Sequence, residues 1–169
     1  QLELPATLIA NESVEITSVI SEKIKKINFK EGNFVKKDHL LVEFFDSEEK
    51  AVLKQIDAEL EEAEINYQRA LKLYEKGNIS QSILDNRAML KKKLLGKYEE
   101  INAKINDLYI KAPFDGVTGI RNFSEGAFIK PGDVITVIYE IDKLKVQVFV
   151  PESYVNQIKI DDTLIISIP

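Results

Sequence analysis

The sequence predicts a mixed β and α fold: one small β-sandwich assembled from two separated halves of the chain, with an antiparallel coiled-coil hairpin inserted between them. Three observations carry this. The nine residues NFKEGNFVK at 28–36 return as NFSEGAFIK at 122–130, with six identities at a spacing of 94. The intervening stretch drops the period-2 alternation of strands for a 3,4-stepped heptad. Runs of β-branched and aromatic residues border both copies of the repeat.

The first copy begins with VEITSVISEKIKKINF, which alternates apolar and polar residues around Val14, Ile16, Val19, Ile24 and Ile27. Gly32 then supplies a residue tolerant of positive φ where the strand must turn. HLLVEFF follows as a nearly continuous apolar strand ending at Asp46. The second copy repeats the scheme with GVTGIRNF, the turn at Gly126, a further turn at KPGD, and the strand VITVIYEI. Gly116, in APFDG, is read as another turn. Neither copy is long enough to bury a core alone, so the two are expected to close face to face as one sandwich over 13–46 and 107–142.

Residues 47–106 are read as the hairpin. In the first arm Leu53, Ile56, Leu60, Ala63, Tyr67, Ala70 and Tyr74 form a heptad seam. Gly77 is placed for a left-handed residue at a helix C-terminus, and Ser80 or Ser82 for the cap of the next helix. The returning seam is read as Ile83, Leu90, Leu94, Tyr98, Ile101, Ile105 and Leu108. With a reversal at 77–80, facing residues have numbers that add to 157 or 158, as for Ala63 with Leu94 and Ile56 with Ile101. Ala70 then faces Arg87, a polar gap. Glu59, Glu61, Glu62 and Glu64 fall level with Lys91, Lys92, Lys93 and Lys97. The arms should be about 40 Å long at about 1.5 Å per residue. Asp46 and the stretch DLYIKAPFDG should lie side by side, with hinges near 46–48 and 106–109 and again near 10–13 and 140–144.

The ends read differently. Residues 1–12 look like a lone strand, and 143–169 like two strands around a short helix at 152–158. They are expected to pair in a third, incomplete domain.

Composition narrows the function. A net charge of −5 argues against a nucleic-acid binder, and Lys23, Lys25, Lys26 and Lys30 read as a solvated face. No apolar run approaches the ~20 residues of a membrane span. The absence of cysteine suits an oxidising compartment. His39, the one histidine, has no second histidine or cysteine with which to build a zinc site or a nucleophilic triad. Met89 is the one methionine, which argues against a methionine-built copper or silver site. The adjacent Glu61 and Glu62 point to different sides of a helix and read as solvated. No enzymatic activity and no cofactor are expected.

The nested order of segments resembles the periplasmic adaptor, or membrane fusion protein (HlyD-like), family of bacterial tripartite efflux pumps. The resemblance rests on VISEKIKKINFKEGNFVKKDHLLVEFFD, on LYEKGNISQSILDNRAML, and on the segment beginning IKAPFDGVTGIRNFSEG. It implies an elongated multi-domain protein with a lipoyl-like (barrel-sandwich hybrid) β-sandwich, the α-hairpin, and a partial flanking β-barrel formed by 1–12 with 143–169. It implies location in the periplasm, anchored to the inner membrane by a segment outside these residues. The implied partners are a TolC-like outer-membrane channel at the hairpin tip, an inner-membrane transporter of the resistance-nodulation-division (RND) type, and further copies of the chain in a ring. It also implies a tip motif, matched here by Arg69, Leu73 and Ser80. On the residues alone these read as a solvated arginine, a flank-padding leucine and a helix cap. An adaptor for an ABC exporter or a type I secretion system is the alternative within the family. A lipoyl or biotinyl carrier is the remote one, since the hairpin occupies the place of the modified lysine.

Overall fold

The structure, a computed structural model, describes residues 4–155, 158–160, 163, 165 and 166. In chain order it contains β1 (Ala6–Ala10), β2 (Ser13–Thr17), β3 (Glu22–Ile27), β4 (Phe34–Val35), β5 (Leu40–Phe44), α1 (Ser47–Glu75) and α2 (Gln81–Asp107). These are followed by β6 (Tyr109–Lys111), β7 (Gly116–Thr118), β8 (Phe128–Ile129), β9 (Val134–Tyr139), β10 (Leu144–Val148) and α3 (Glu152–Val155).

The two repeats make one sandwich by exchanging strands. One sheet has the order β2-β9-β7-β4 and the other β6-β5-β3-β8, with every pairing antiparallel. Adding 94 to any residue number of the first half turns one sheet into the other, so each sheet draws two strands from each half. Neither half can satisfy its backbone alone. The inner faces meet in a core where Ile24, Leu41, Val42, Phe44, Ile129, Ile135 and Ile138 are fully buried.

Hydrogen bonds obey the same operation. The Gly32 N–H donates to the Thr118 carbonyl at 2.8 Å, and the Gly126 N–H to the Ile24 carbonyl at 2.8 Å. Glu31 accepts from the Arg121 backbone N–H (3.1 Å), while Glu125 accepts from that of Ile27 (2.9 Å). The EG of each copy therefore clasps the other copy. Gly32 and Gly126 have φ of 73° and 83°, the left-handed region that an L side chain enters only at a cost. Their repeat-related neighbours Asp38 (φ 64°) and Gly132 (φ 90°) share a second such position.

Gly116 is not in a turn. It is the first residue of β7, and a Cβ there would stand 2.5 Å from the Tyr139 carbonyl oxygen of β9. Close strand approach, not backbone conformation, requires glycine at this position.

β1 and β10 form a separate two-stranded antiparallel sheet with Ala6 opposite Val148 and Ala10 opposite Leu144. The expected short helix is present as α3, shorter than the 152–158 reading, with 156–157 outside the described residues. The strand expected after it falls largely outside them too; Thr163, Ile165 and Ile166 belong to no strand.

Candidate partner-binding site at the hairpin tip

α1 and α2 pack as antiparallel arms. The first arm follows the expected seam as far as Ala70: Ala63 and Ala70 are buried, and Leu53, Ile56, Leu60 and Tyr67 half-buried, whereas Tyr74, the last expected seam residue, is exposed. At the base of the second arm, Leu94, Ile101 and Leu108 are buried and Tyr98 and Ile105 half-buried, again as expected. Nearer the tip the reading departs. Ile83 and Leu90 are not in the seam and are 45% and 43% exposed; Leu84 is buried instead, with Ala88 and Lys91 half-buried. Stepping strictly back from Leu108 by 3 and 4 lands on 91, 87 and 84; Lys91 and Leu84 are covered, but between them Arg87 is exposed and Ala88 takes its place, a one-residue shift of the seam. Polar Lys91 and Arg87 interrupt its apolar signal and draw the eye one residue aside.

Lys91 can occupy the seam because its charge is answered there. Its Nζ pairs with Glu64 of the opposite arm and sits 5.0 Å from the centre of the Tyr67 ring. Lys91, with the Gln68 amide, lowers the Glu64 pKa. A lysine at such a position costs stability but admits few alternative registers.

The turn is built as the glycine requires. Asn78 N–H donates to the Leu73 carbonyl at 2.9 Å and Gly77 N–H to the Tyr74 carbonyl at 2.8 Å, with Gly77 at φ 72°. This pair of bonds closes a helix on a left-handed residue. Ser80 occupies the N-cap position of α2, but its hydroxyl makes no capping bond. Its carbonyl accepts from the N–H groups of Ile83 (3.1 Å) and Leu84 (3.4 Å).

Arg69 is exposed on α1 and donates at 3.4 Å to Asn66, one turn earlier. With Glu64, Ile65, Gln68 and Lys72 it lines a shallow groove of about 340 Å³. Leu73 is 38% exposed, off the seam, at the last turn before Gly77. The three tip residues thus have their side chains uncommitted to the coil. Arg69 and Leu73 lie one turn apart on one side of α1, and Ser80 lies across the turn.

A polar joint at the other end of the hairpin was not legible in the sequence. Asp46, which precedes α1, is almost completely buried yet makes no capping bond to its own helix. Its carboxylate accepts a hydrogen bond from the Tyr109 hydroxyl of β6 and pairs with Lys50. Lys50 also lies 5.8 Å from the Tyr109 ring centre. The Lys50 and Tyr109 hydrogen bonds hold the Asp46 carboxyl below its ordinary 3.8, against the desolvation that raises it; Lys50 is raised in turn, chiefly by Asp46. One carboxylate therefore ties both roots of the hairpin together, reinforced by Phe44 N–H to the Leu108 carbonyl at 2.9 Å. The expectation that Asp46 and DLYIKAPFDG lie side by side is met here.

Chemistry-bearing groups are otherwise dispersed. Among the described residues no cluster of three or more His, Asp or Glu side chains could hold a metal ion. No described helix is long and apolar enough to cross a membrane. His39 is exposed, with Nε2 3.1 Å from the Asn28 carbonyl oxygen.

Residues 12–141 match the family described as the barrel-sandwich hybrid domain of RND membrane fusion proteins. The multidrug resistance protein MdtA of Yersinia enterocolitica is 31% identical over 163 residues, covering 87% of this chain and 37% of its own length. The efflux pump periplasmic linker BepF of Brucella suis is 29% identical over 154 residues, with 82% and 38% covered. The chain thus spans about two fifths of the curated relatives it matches. In fold it is similar to a MacA–MexA chimeric protein carrying the Pseudomonas aeruginosa MexA α-hairpin domain. That similarity has a TM-score of 0.85 at 20% identity, over 91% of this chain and 56% of the other. The chain belongs to the membrane fusion protein family of periplasmic adaptors, associated with RND-type efflux systems.

Proposed function

We propose that this chain is the hairpin-bearing part of a periplasmic adaptor that links an RND-type inner-membrane transporter to an outer-membrane channel. The protein works in the periplasm, in several copies per assembly, held to the inner membrane by a segment outside these residues. Residues 1–12 with 143–169 serve as the partial β-barrel domain facing the transporter, 13–46 with 107–142 as the lipoyl-like mount, and 47–106 as the hairpin. The reading assigns no catalysis and no cofactor.

One observation carries it beyond family membership: a coiled coil stabilised by its own seam leaves Arg69 and Leu73 exposed off that seam at its tip. Leu73 supplies an apolar anchor for a groove between two helices of the channel. Arg69 supplies charge-assisted hydrogen bonds, and the Ser80 hydroxyl, not spent on capping, a further donor and acceptor. In the full-length adaptor, Arg69→Asp and Leu73→Asp should keep thermal unfolding within a degree or so of wild type, as exposed substitutions do, yet abolish efflux and site-specific cross-linking to the channel. Normal efflux by expressed tip variants would overturn the contact.

A further inference from the structure

We propose that the first copy of the repeat carries a binding groove for an amphipathic organic anion, an apolar ring system bearing a carboxylate or sulfonate. The groove lies on the sandwich, no residue of the hairpin lines it, and the inference is independent of the adaptor reading. Its volume is about 450 Å³, and every lining residue falls within 26–39. Ile27, Phe29 and Phe34 give it apolar walls; Phe29 is buried, whereas Phe34 is 52% exposed. Lys26 and Lys30 supply positive charge, and His39 an imidazole.

The second copy shows what the fold itself requires of these positions. It keeps the exposed aromatic, with Phe128 at 54% in the place of Phe34. It does not keep the charge. Residues 23–39 hold six lysines and His39 against two carboxylates, while 117–133 hold two cations against two carboxylates. Lys26, Lys30 and His39 give way to Ile120, Ser124 and Asp133. Asp133 has a structural task, accepting from the Lys130 N–H at 2.8 Å within its turn. His39 instead donates from Nε2 to the Asn28 carbonyl at 3.1 Å, which ties the imidazole to another residue of the groove. The same half-sandwich folds without these three groups, so folding does not account for them.

Nor does the rest of the molecule neutralise them. Among the described residues none of the six lysines joins an ion pair. Glu31 is engaged by Arg121, and Glu43, opposite Lys26 across β3 and β5, accepts from the Asn28 side-chain amide at 2.8 Å. The site is therefore positive in a chain whose net charge is −5. Two ammonium groups beside an exposed phenylalanine suit a ligand with both an anionic head and a ring to stack. An inorganic anion would leave the apolar walls uncovered, and a neutral apolar ligand would leave the lysines unanswered.

Fluorescence titration of this chain with anilinonaphthalene sulfonate and with phenylnaphthylamine, the same rings without the sulfonate, tests it. The chain has no tryptophan to interfere. Wild type should bind the sulfonate at least about tenfold more tightly than the neutral amine. Lys26→Ile with Lys30→Ser installs the residues that the second copy tolerates, so circular dichroism should be unchanged while the preference disappears. Phe34→Ala should weaken both probes about threefold or more and keep the preference. Lys92→Ser, which removes a cation from α2, should change neither. Equal affinity for the two probes in wild type, a preference that survives the double variant, or its equal loss in Lys92→Ser overturns the proposal. So does binding to vesicles of phosphatidylglycerol without binding to the soluble sulfonate, which would make the lysines a membrane-facing patch. Arg69→Asp should bind the sulfonate as wild type does, so failure here and failure of the tip reading are distinguishable.

Discussion

Thr136 should be the easiest place to make this protein more stable. It lies on β9 with 1% of its surface exposed, and its Oγ1 is a buried side-chain oxygen without a hydrogen-bond partner. A hydroxyl taken from water without compensation costs about 1–3 kcal/mol. The internal repeat supplies the remedy: the equivalent position 94 residues earlier is Val42, fully buried in β5. Valine has the shape of threonine, so Thr136→Val removes the unpaired group and leaves no cavity. The expected gain is about 1–2 kcal/mol, or about 2–8 °C in midpoint for a unit of this size. Scanning calorimetry reads the shift, and slower amide exchange along β9 locates it. The reciprocal change, Val42→Thr, should cost a similar amount. The reasoning is wrong if Thr136→Val is no more stable than wild type while Val42→Thr is tolerated, for then a buried hydroxyl in this core costs nothing.

The two kinds of glycine should separate on substitution. Gly126→Ala meets open space but keeps φ at 83°, and should cost about 1 kcal/mol. Gly116→Ala drives a Cβ against the Tyr139 backbone and should cost about 2–3 kcal/mol; equal costs in denaturant titration would refute the distinction. At the hairpin root, Asp46 should titrate below 3.8 by carboxyl NMR, with Tyr109→Phe moving its midpoint upward. The joint's contribution should be complete above the unfolded carboxylate value and fade as pH falls through the lowered native one. An Asp46 midpoint at or above 3.8 would mean the joint is open in solution.

Much of the fold was legible because the repeat is literal. Six shared residues in nine fix two glycine turns, and the apolar strands around them leave one way to bury both copies. The strand exchange was not legible, since pairing a strand with its own half or the other buries the same faces. The first arm of the hairpin could be read as far as Ala70 because every seam position up to there is apolar or aromatic. The tip half of the second could not, because Lys91 is stabilised in the seam by Glu64 and Tyr67, partners that no period reveals. The nearness of Asp46 to DLYIKAPFDG could be read from the nested order, but its ties to Tyr109 and Lys50 follow from no sequence pattern. Lys50 is part of that joint, so Lys50→Asp would set a second carboxylate beside a buried one.

The repeat also relates the two joints of the sandwich. Asp46 ends β5 toward the hairpin, and 94 residues later Glu140 ends β9 toward the flanking strands. Glu140 accepts a hydrogen bond from the Asn11 side-chain amide, its own N–H donates to the Glu12 carbonyl at 2.9 Å, and Asn11 N–H reaches the Lys143 carbonyl at 3.2 Å. At each end one carboxylate therefore ties the outgoing chain to the strand that comes back. The two ties differ in chemistry. Asp46 is buried and answered by a cation and a phenol, so its charge is what holds it. Glu140 is answered by a neutral amide, a bond that adds less than an ionic one. A hairpin pressed at its tip transmits load through the Asp46 joint before any other, and that joint carries the stronger tie. Bending should therefore concentrate between the sandwich and the β1–β10 sheet. Spin-label distances from the sandwich to each neighbour would test this: the distribution to β10 should be the broader, and Tyr109→Phe should broaden the one to the hairpin. Equal widths in the wild type would show that these side chains do not set the stiffness of the joints.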